Sequence, residues 1–560
     1  MRHPFSHSPL LAALLAVGIL SPFGAVQAQD LGGMFKRVAR QAKQEVQRKV
    51  EDKVVDTATK PVDEALNDRK PGNRNTPVAV PVQKGNAVVA IRAAAIPDDS
   101  PAAREQAIAR LRTAPPRHVC DDDAKMGRVF GTSCASREFP APPILAAPQK
   151  VWEIQPGWWG VWSPFLVGNL VLTGSCNNDG NEGISALDAG TGKTVWRIAS
   201  ICREGHRRGS TGAVGFHELP SGEVLLVYPR NDGGPTDHYV IDVKAGRIVR
   251  TLTPAKRGPM RGVGDVFTVV TQSTPDATST MTALGPSLDK ILWRNDGFML
   301  AMTNDLDPHY KPTFSAPAAA GGILFVTARG KRQPEPATRQ LHAIDMRTGA
   351  TLWRHDAQPV TERNPKLAYR SDDGLPMVAG GKAIIRVQGL LGEVGIGRDP
   401  NGEGLRAFDP RSGAVQWTTQ AVPGQAIANY IAAGDMLVVD VESAGNRELW
   451  GYRLGDGRLA WRRPVTQGTR LLASSGGAFY VSERVPASDG KSVKDFRLQG
   501  LDGATGTLLW STILPGHNLD IDERWSIQDV SGGNSQGPSW RIGRDGAIYG
   551  VTLKGAYKLQ

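Results

Sequence analysis

ALDAGTGKTVW, residues 186–196, holds the pattern that decides the fold. A short apolar strand ends on Asp188, a turn containing Gly192 reverses the chain, and a second strand carries Trp196. The same order returns as AIDMRTGATLW at 343–353, AFDPRSGAVQW at 407–417 and GLDGATGTLLW at 500–510. Weaker copies are VIDVKAGRIVR ending at Arg250, a stretch ending at Trp293, and GYRLGDGRLAW ending at Trp461. Asp188, Asp242, Asp345, Asp409 and Asp502 each stand four residues before a glycine: Gly192, Gly246, Gly349, Gly413 and Gly506. In the copy ending at Trp461, Gly457 keeps the glycine and Arg453 takes the aspartate position. An Asp side chain can accept hydrogen bonds from the backbone of its own turn, and Gly reaches the positive φ that returns the chain as a hairpin. The Trp four residues later then sits on an outer strand, where its large apolar face wedges against a neighbouring unit.

Counted at the Trp position, the pattern falls at 152, 196, 250, 293, 353, 417, 461 and 510, with separations of 43 to 64 residues. Seven of the 13 tryptophans occupy it: Trp152, Trp196, Trp293, Trp353, Trp417, Trp461 and Trp510. A period in this range with several strands per unit is the signature of propeller blades. KVWEIQ (150–155) reads as a lone outer strand, and the C-terminal AIYGVTLKGAYKLQ as inner strands that stop before their outer one. Joined, they complete an eighth blade and remove the exposed edges of an open array. The expectation is an all-β fold over 150–560: a β-propeller of eight four-stranded blades, closed by pairing of N- and C-terminal strands and preceded by a helical extension.

The first residues read as a targeting signal. Arg2 and His3 precede the apolar run Leu10–Leu20, and Val26-Gln27-Ala28 offers a cleavage site before Gln29. That run is too short for a spanning helix, and no cysteine lies near the cut to carry a lipid. Residues 1–28 are therefore expected to be a Sec-type signal peptide, with the mature chain periplasmic or secreted. Within 29–67, Phe35, Val38, Ala42, Val46, Val50 and Val54 recur at helical spacing among charged residues. This amphipathic helix, spanning about 34–58, can serve as a spacer, dock a helix partner or lie on a membrane surface. Residues 68–149 read as a Pro-rich linker with one short helix, capped by Ser100 with Pro101 in its first turn, and an irregular end.

Four cysteines in an exported chain suggest disulfides with three possible pairings, and the local one joins Cys120 to Cys134 and Cys176 to Cys202. No C-x-x-C is present, which removes the minimum ligands of zinc-ribbon and c-type haem sites. The formal charge of +11 comes from 66 Lys and Arg against 55 Asp and Glu, without one dominant run. It fits a soluble surface with weak attraction to anions. No nucleic-acid-binding motif accompanies it.

The turn sequences resemble the PQQ-like repeat, found in quinoprotein alcohol dehydrogenases and in propeller subunits of outer-membrane assembly machinery. The resemblance covers about 150–560; departures are Gly285 and Arg453 at the Asp position, Asp289 at the Gly position and Arg250 at the Trp position. For the dehydrogenases it implies PQQ held against adjacent, disulfide-bonded cysteines, with Glu, Asn and Asp around calcium. This chain has no Cys-Cys pair. The resemblance therefore implies an exported, non-catalytic scaffold that binds an envelope protein. The alternative is a PQQ-dependent oxidoreductase acting on alcohols or sugars, with Ca²⁺.

Other motifs carry less. Gly533–Gly537 satisfies G-x-S-x-G, but Pro538 and a strand-like SWRIG follow where the hydrolase elbow requires a helix. Gly190–Thr194 mimics the end of a phosphate-binding loop, yet Leu187 stands at its first glycine and the repeat already explains it. Asp399, Asn401 and Glu403, like Asn177, Asp179, Asn181 and Glu182, alternate oxygen ligands without completing a calcium loop. Trp158, Trp159 and Trp162 form an aromatic cluster that either packs between blades or offers a platform to a partner or sugar. No catalytic or metal-ligating residue is assigned.

Overall fold

In a computed structural model the chain divides into two compact units, Met1–Val78 and Ala79–Gln560. The structure describes residues 88–89, 94–114, 138–154, 164–175, 183–202, 215–228, 237–252, 261–263, 266–271, 279–300, 318–329, 338–359, 376–388, 403–419, 425–443, 446–486, 493–514, 540–551 and 556–560, all in the second unit. The expected signal peptide, the amphipathic helix over 34–58, Cys120, Cys134, Cys176, the calcium-like loop residues Asn177, Asp179, Asn181, Glu182, Asp399 and Asn401, the G-x-S-x-G segment and Trp158, Trp159 and Trp162 lie outside them, whereas Glu403 begins the strand Glu403–Phe408.

Short, nearly continuous apolar runs cut by Gly turns give inner strands buried on both faces, while outer strands such as Arg247–Leu252 alternate in exposure. Eight antiparallel units result, the blades of a propeller. Blade 1 consists of Phe165–Val167, Leu170–Ser175, Gly183–Asp188 and Thr194–Ile198, from first to fourth strand. Blades 2 to 7 repeat this plan over residues 215–252, 261–300, 318–359, 377–419, 426–465 and 470–514. Blades 3 and 4 are also joined where Met299 and Leu300 pair with Arg329 and Ala328.

Blade 8 is made from both ends of the propeller. Trp540–Ile542, Ile548–Val551 and Ala556–Leu559 supply three strands, and Lys150–Ile154 adds the fourth. Glu153 faces Tyr557 and Ile154 faces Ala556 in the antiparallel register. Gln149 and Gln560 exchange backbone hydrogen bonds of 2.8 Å in both directions, where other blades have a covalent turn.

The core is distributed around the ring. The buried hydrophobic residues form eight clusters, one at each blade junction. Stability thus resides in neighbour-to-neighbour seams, as in other repeat architectures.

The Pro-rich stretch expected as a linker is, where described, seated on the blades. Helix α1, Pro101–Thr113, starts at Ser100, whose side chain accepts from the Ala103 amide at 3.2 Å. Its Ala107 and Leu111 are buried with Leu509 and Trp510 of blade 7. The short helix expected after Ser100 is thus present, and its seat on the blades went unread because the few apolar side chains that anchor it are widely separated in sequence from their partners.

Candidate functional site

The repeat residues form one joint, used around the ring. Each slot tryptophan lies on the turn of the next blade. The indole N–H of Trp152 donates to the Ala189 carbonyl at 3.1 Å and that of Trp196 to Val243 at 2.8 Å. Trp293 donates to Met346 at 2.7 Å, Trp353 to Pro410 at 2.8 Å, Trp417 to Leu454 at 3.0 Å and Trp461 to Gly503 at 2.9 Å. Beneath each ring sits the turn glycine. At Gly413, with φ of 71°, a Cβ would stand 2.7 Å from the Trp353 ring. The same conflict holds for Gly192, Gly246, Gly349, Gly457 and Gly506, so each is required by its backbone and by the indole above it.

The aspartates fix the turn. Asp345 Oδ1 accepts from the Thr348 hydroxyl at 2.8 Å and its amide at 2.7 Å. Asp409 accepts likewise from Ser412, Asp188 from Thr191, Asp242 from the Lys244 and Ala245 amides, and Asp502 from the Thr505 amide. The Thr191 and Thr348 hydroxyls hold Asp188 and Asp345 below the usual carboxylate range, and the Ser412 amide does so for Asp409.

Two junctions break the rule. Between blades 2 and 3, Arg250 replaces the tryptophan and the next turn lacks its glycine. Leu288 takes a φ of 67° there and buries its side chain with Leu219, Leu225 and Val240. Beside it remains a cavity of about 490 Å³, lined among others by Val249, Arg250, Glu223 and Ser287. Between blades 7 and 8 the next turn is cut by the chain termini. Trp510 donates instead to the Ile144 carbonyl at 2.7 Å, and Pro142 lies over Gly546.

The segment before the propeller follows its surface from blade 5 to blade 8. Val88 and Val89 add in parallel to Thr418 and Thr419 on the outer strand of blade 5. On blade 6 the Ala95 amide donates to the Ala460 carbonyl at 3.1 Å, and the Ala95 carbonyl accepts from the Arg462 amide at 3.0 Å. Asp99 takes both terminal nitrogens of Arg463 at 2.9 and 2.8 Å and the Leu508 amide at 2.9 Å. Burial works against the Asp99 charge, yet these partners outweigh it and hold the carboxyl below its ordinary value. On blade 7, Arg110 pairs with Asp502. The buried Glu138 accepts from the turn amides of Gly477 at 2.8 Å and Gly434 at 3.2 Å, bridging blades 7 and 6.

A second regularity has no counterpart in the sequence reading. All eight outer strands carry a β-bulge, and the extra residue immediately precedes the Trp position. On five successive blades it is apolar and exposed: Val151 (50 %), Val195 (56 %), Val249 (43 %), Leu292 (40 %) and Leu352 (40 %). The equivalents Ala460 and Leu509 on blades 6 and 7 lie beneath the N-terminal segment, with Leu509 only 3 % exposed. Spaced about one blade apart, these residues escape any window that looks for local periodicity.

The described residues hold no group of three or more His, Cys, Asp and Glu side chains placed to bind a metal ion. His342 is buried, which pushes its pKa down to about 4, with Arg354 adding to the effect. Asp440 and Arg447 form a buried pair at 2.6 Å inside blade 6, a structural rather than an open arrangement. Among the described residues no helix is long and apolar enough to cross a membrane.

A family model described as outer membrane protein assembly factor BamB matches residues 180–426 and 337–556. No curated protein matches the chain. Among solved structures, a quinohemoprotein alcohol dehydrogenase of Comamonas testosteroni is 12% identical with a TM-score of 0.47, over 81% of this chain and 84% of that one. The quinohemoprotein alcohol dehydrogenase ADHIIG of Pseudomonas putida HK5 is 12% identical with a TM-score of 0.45, over 79% and 81%. The WD40 domain of SCAP from fission yeast is 8% identical with a TM-score of 0.39, over 74% and 94%.

Proposed function

The chain belongs to the family of outer membrane protein assembly factor BamB, and from that premise we propose that it is an exported, non-catalytic propeller that docks protein in the bacterial envelope. The observation that carries this reading is the way blades 5 to 8 hold the described parts of the segment before the propeller, two short extended stretches and a helix among them. Strand pairing through Val88, Val89 and Ala95, a bidentate Arg463–Asp99 contact and a buried glutamate together use the means by which propellers and sheets hold peptides. A rim able to bind its own chain in this manner is a surface suited to binding another. The Sec-type signal expected in residues 1–28 supports export, and the absent Cys-Cys pair argues against the dehydrogenase branch.

The test is reconstitution of the full mature chain with PQQ and Ca²⁺. The reading expects no saturable PQQ binding by titration calorimetry and no alcohol- or sugar-dependent dye reduction. Saturable binding with turnover would replace it by an oxidoreductase.

A further inference from the structure

We propose that the outer strands of blades 1 to 4 form a ledge for an extended, acidic segment of a partner protein, added in parallel as Val88 and Val89 are added on blade 5 and Ala95 on blade 6. This deepens the docking reading and rests on it.

The covered blades define the geometry. On blade 6 the bulge residue Ala460 turns its carbonyl outward to accept from Ala95, and the amide two residues on, Arg462, donates back. The bulge recurs at the same register on blades 1 to 4, so the equivalent acceptors are the carbonyls of Val195, Val249, Leu292 and Leu352. The equivalent donors are the amides of Arg197, Thr251, Arg294 and Arg354. Among the described residues the outer strands of blades 1 and 2 end their sheets with no strand beside them, and that of blade 3 meets another only at Met299 and Leu300. An outer edge of this kind is a template for strand addition.

Side chains specify the occupant. The exposed bulge residues offer an apolar foothold on each blade, as Leu509 does for Ala107 and Leu111 on blade 7. Arg247 on blade 2 and Arg294 on blade 3 are exposed on these same strands. Blade 6 shows how such a cation is used, since Asp99 of the segment grips Arg463 there. The cavity beside Arg250 opens next to Val249 and, at about 490 Å³, can receive one large apolar side chain of the incoming segment.

The probe is a fluorescent peptide with the sequence of residues 86–100, added in trans to the full mature chain. Binding is followed by anisotropy and mapped by amide hydrogen exchange. The ledge expects protection of the amides of Arg197, Thr251, Arg294 and Arg354, with Arg462 unchanged because its own segment already covers it. Two altered peptides separate the contributions: one N-methylated at the residue matching Ala95, and one carrying lysines for Asp98 and Asp99. Each is expected to bind about tenfold more weakly, equivalent to about 1.4 kcal/mol. In the protein, Arg247→Glu with Arg294→Glu should reduce binding about as much while leaving the melting temperature unchanged.

Absence of binding, equal binding of all three peptides, or protection confined to other segments would overturn the ledge. Those results leave the PQQ titration untouched, so the ledge and the docking reading fail separately.

Discussion

Trp510 donates its indole N–H to the carbonyl of Ile144 at 2.7 Å, a contact spanning 366 residues of sequence. At six other junctions the acceptor belongs to the turn of the next blade. In blade 8 that turn is where the propeller's two ends meet, so the entering chain supplies the missing carbonyl. The ring is closed by this bond as well as by the pairing of Lys150–Ile154 with Ala556–Leu559. Trp510→Phe removes the donor together with part of the buried ring, and is expected to cost at least about 1 kcal/mol in chemical denaturation. Full retention of stability would show that the bond does not contribute to closure.

Gly413 and Gly222 separate two demands on a turn. Both have positive φ, 71° and 83°, but a Cβ on Gly413 meets the Trp353 ring whereas one on Gly222 meets nothing within 4 Å. Gly222→Ala should cost about 1–2 kcal/mol for the left-handed backbone alone. Gly413→Ala should cost a further ~1–3 kcal/mol for overpacking, and should shift the tryptophan emission. Equal losses would contradict the stacking of each tryptophan on the next blade.

Leu288 fills with an aliphatic side chain the junction where Arg250 has replaced the indole. Leu288→Ala retains the positive φ, so its cost isolates packing, about 2–5 kcal/mol for a buried leucine. A loss below ~1 kcal/mol would mean that the side chain does not support the seam.

His342 gives a pH dependence with a definite sign. Its folded pKa of about 4 lies below the ordinary histidine value of 6.5, so between these values the unfolded chain binds the extra proton. Stability is then fully present above about pH 6.5 and falls as pH drops towards 4, by roughly 3 kcal/mol across the window. Urea midpoints at pH 7 and 4.5 should differ less for His342→Gln than for the parent. The lowered Asp188, Asp345 and Asp409 act in the same direction at lower pH, losing their contribution as pH falls below about 3.8.

Peptide mapping without reduction should recover Cys176 joined to Cys202 and Cys120 joined to Cys134. Recovery of a crossed pairing would remove the local clasp expected in blade 1.

The repeat was legible because its reasons are local. Asp and Gly are needed within four residues of each other, and the Trp follows at a fixed distance on the same hairpin. Blade number and the closing strand Lys150–Ile154 followed from counting that unit. What the glycine also does, carrying the preceding blade's indole, could not be read within one hairpin. The same limit hid the seat of residues 94–114: Asp99 reaches Arg463 and Leu508 across hundreds of residues, and Pro-rich composition gives no hint of it. The exposed bulge series was missed for a related reason, since Val195, Val249, Leu292 and Leu352 are each ordinary strand residues until the ring aligns them.

Protein docking on the rim of this propeller is the proposal on which the ledge depends. It is tested most directly by photo-cross-linking in the intact envelope, from benzoylphenylalanine placed singly at positions 249, 292 and 352. A discrete protein adduct of fixed mass is expected from these positions and none from position 222 on a turn. No adduct from any of the three would contradict it.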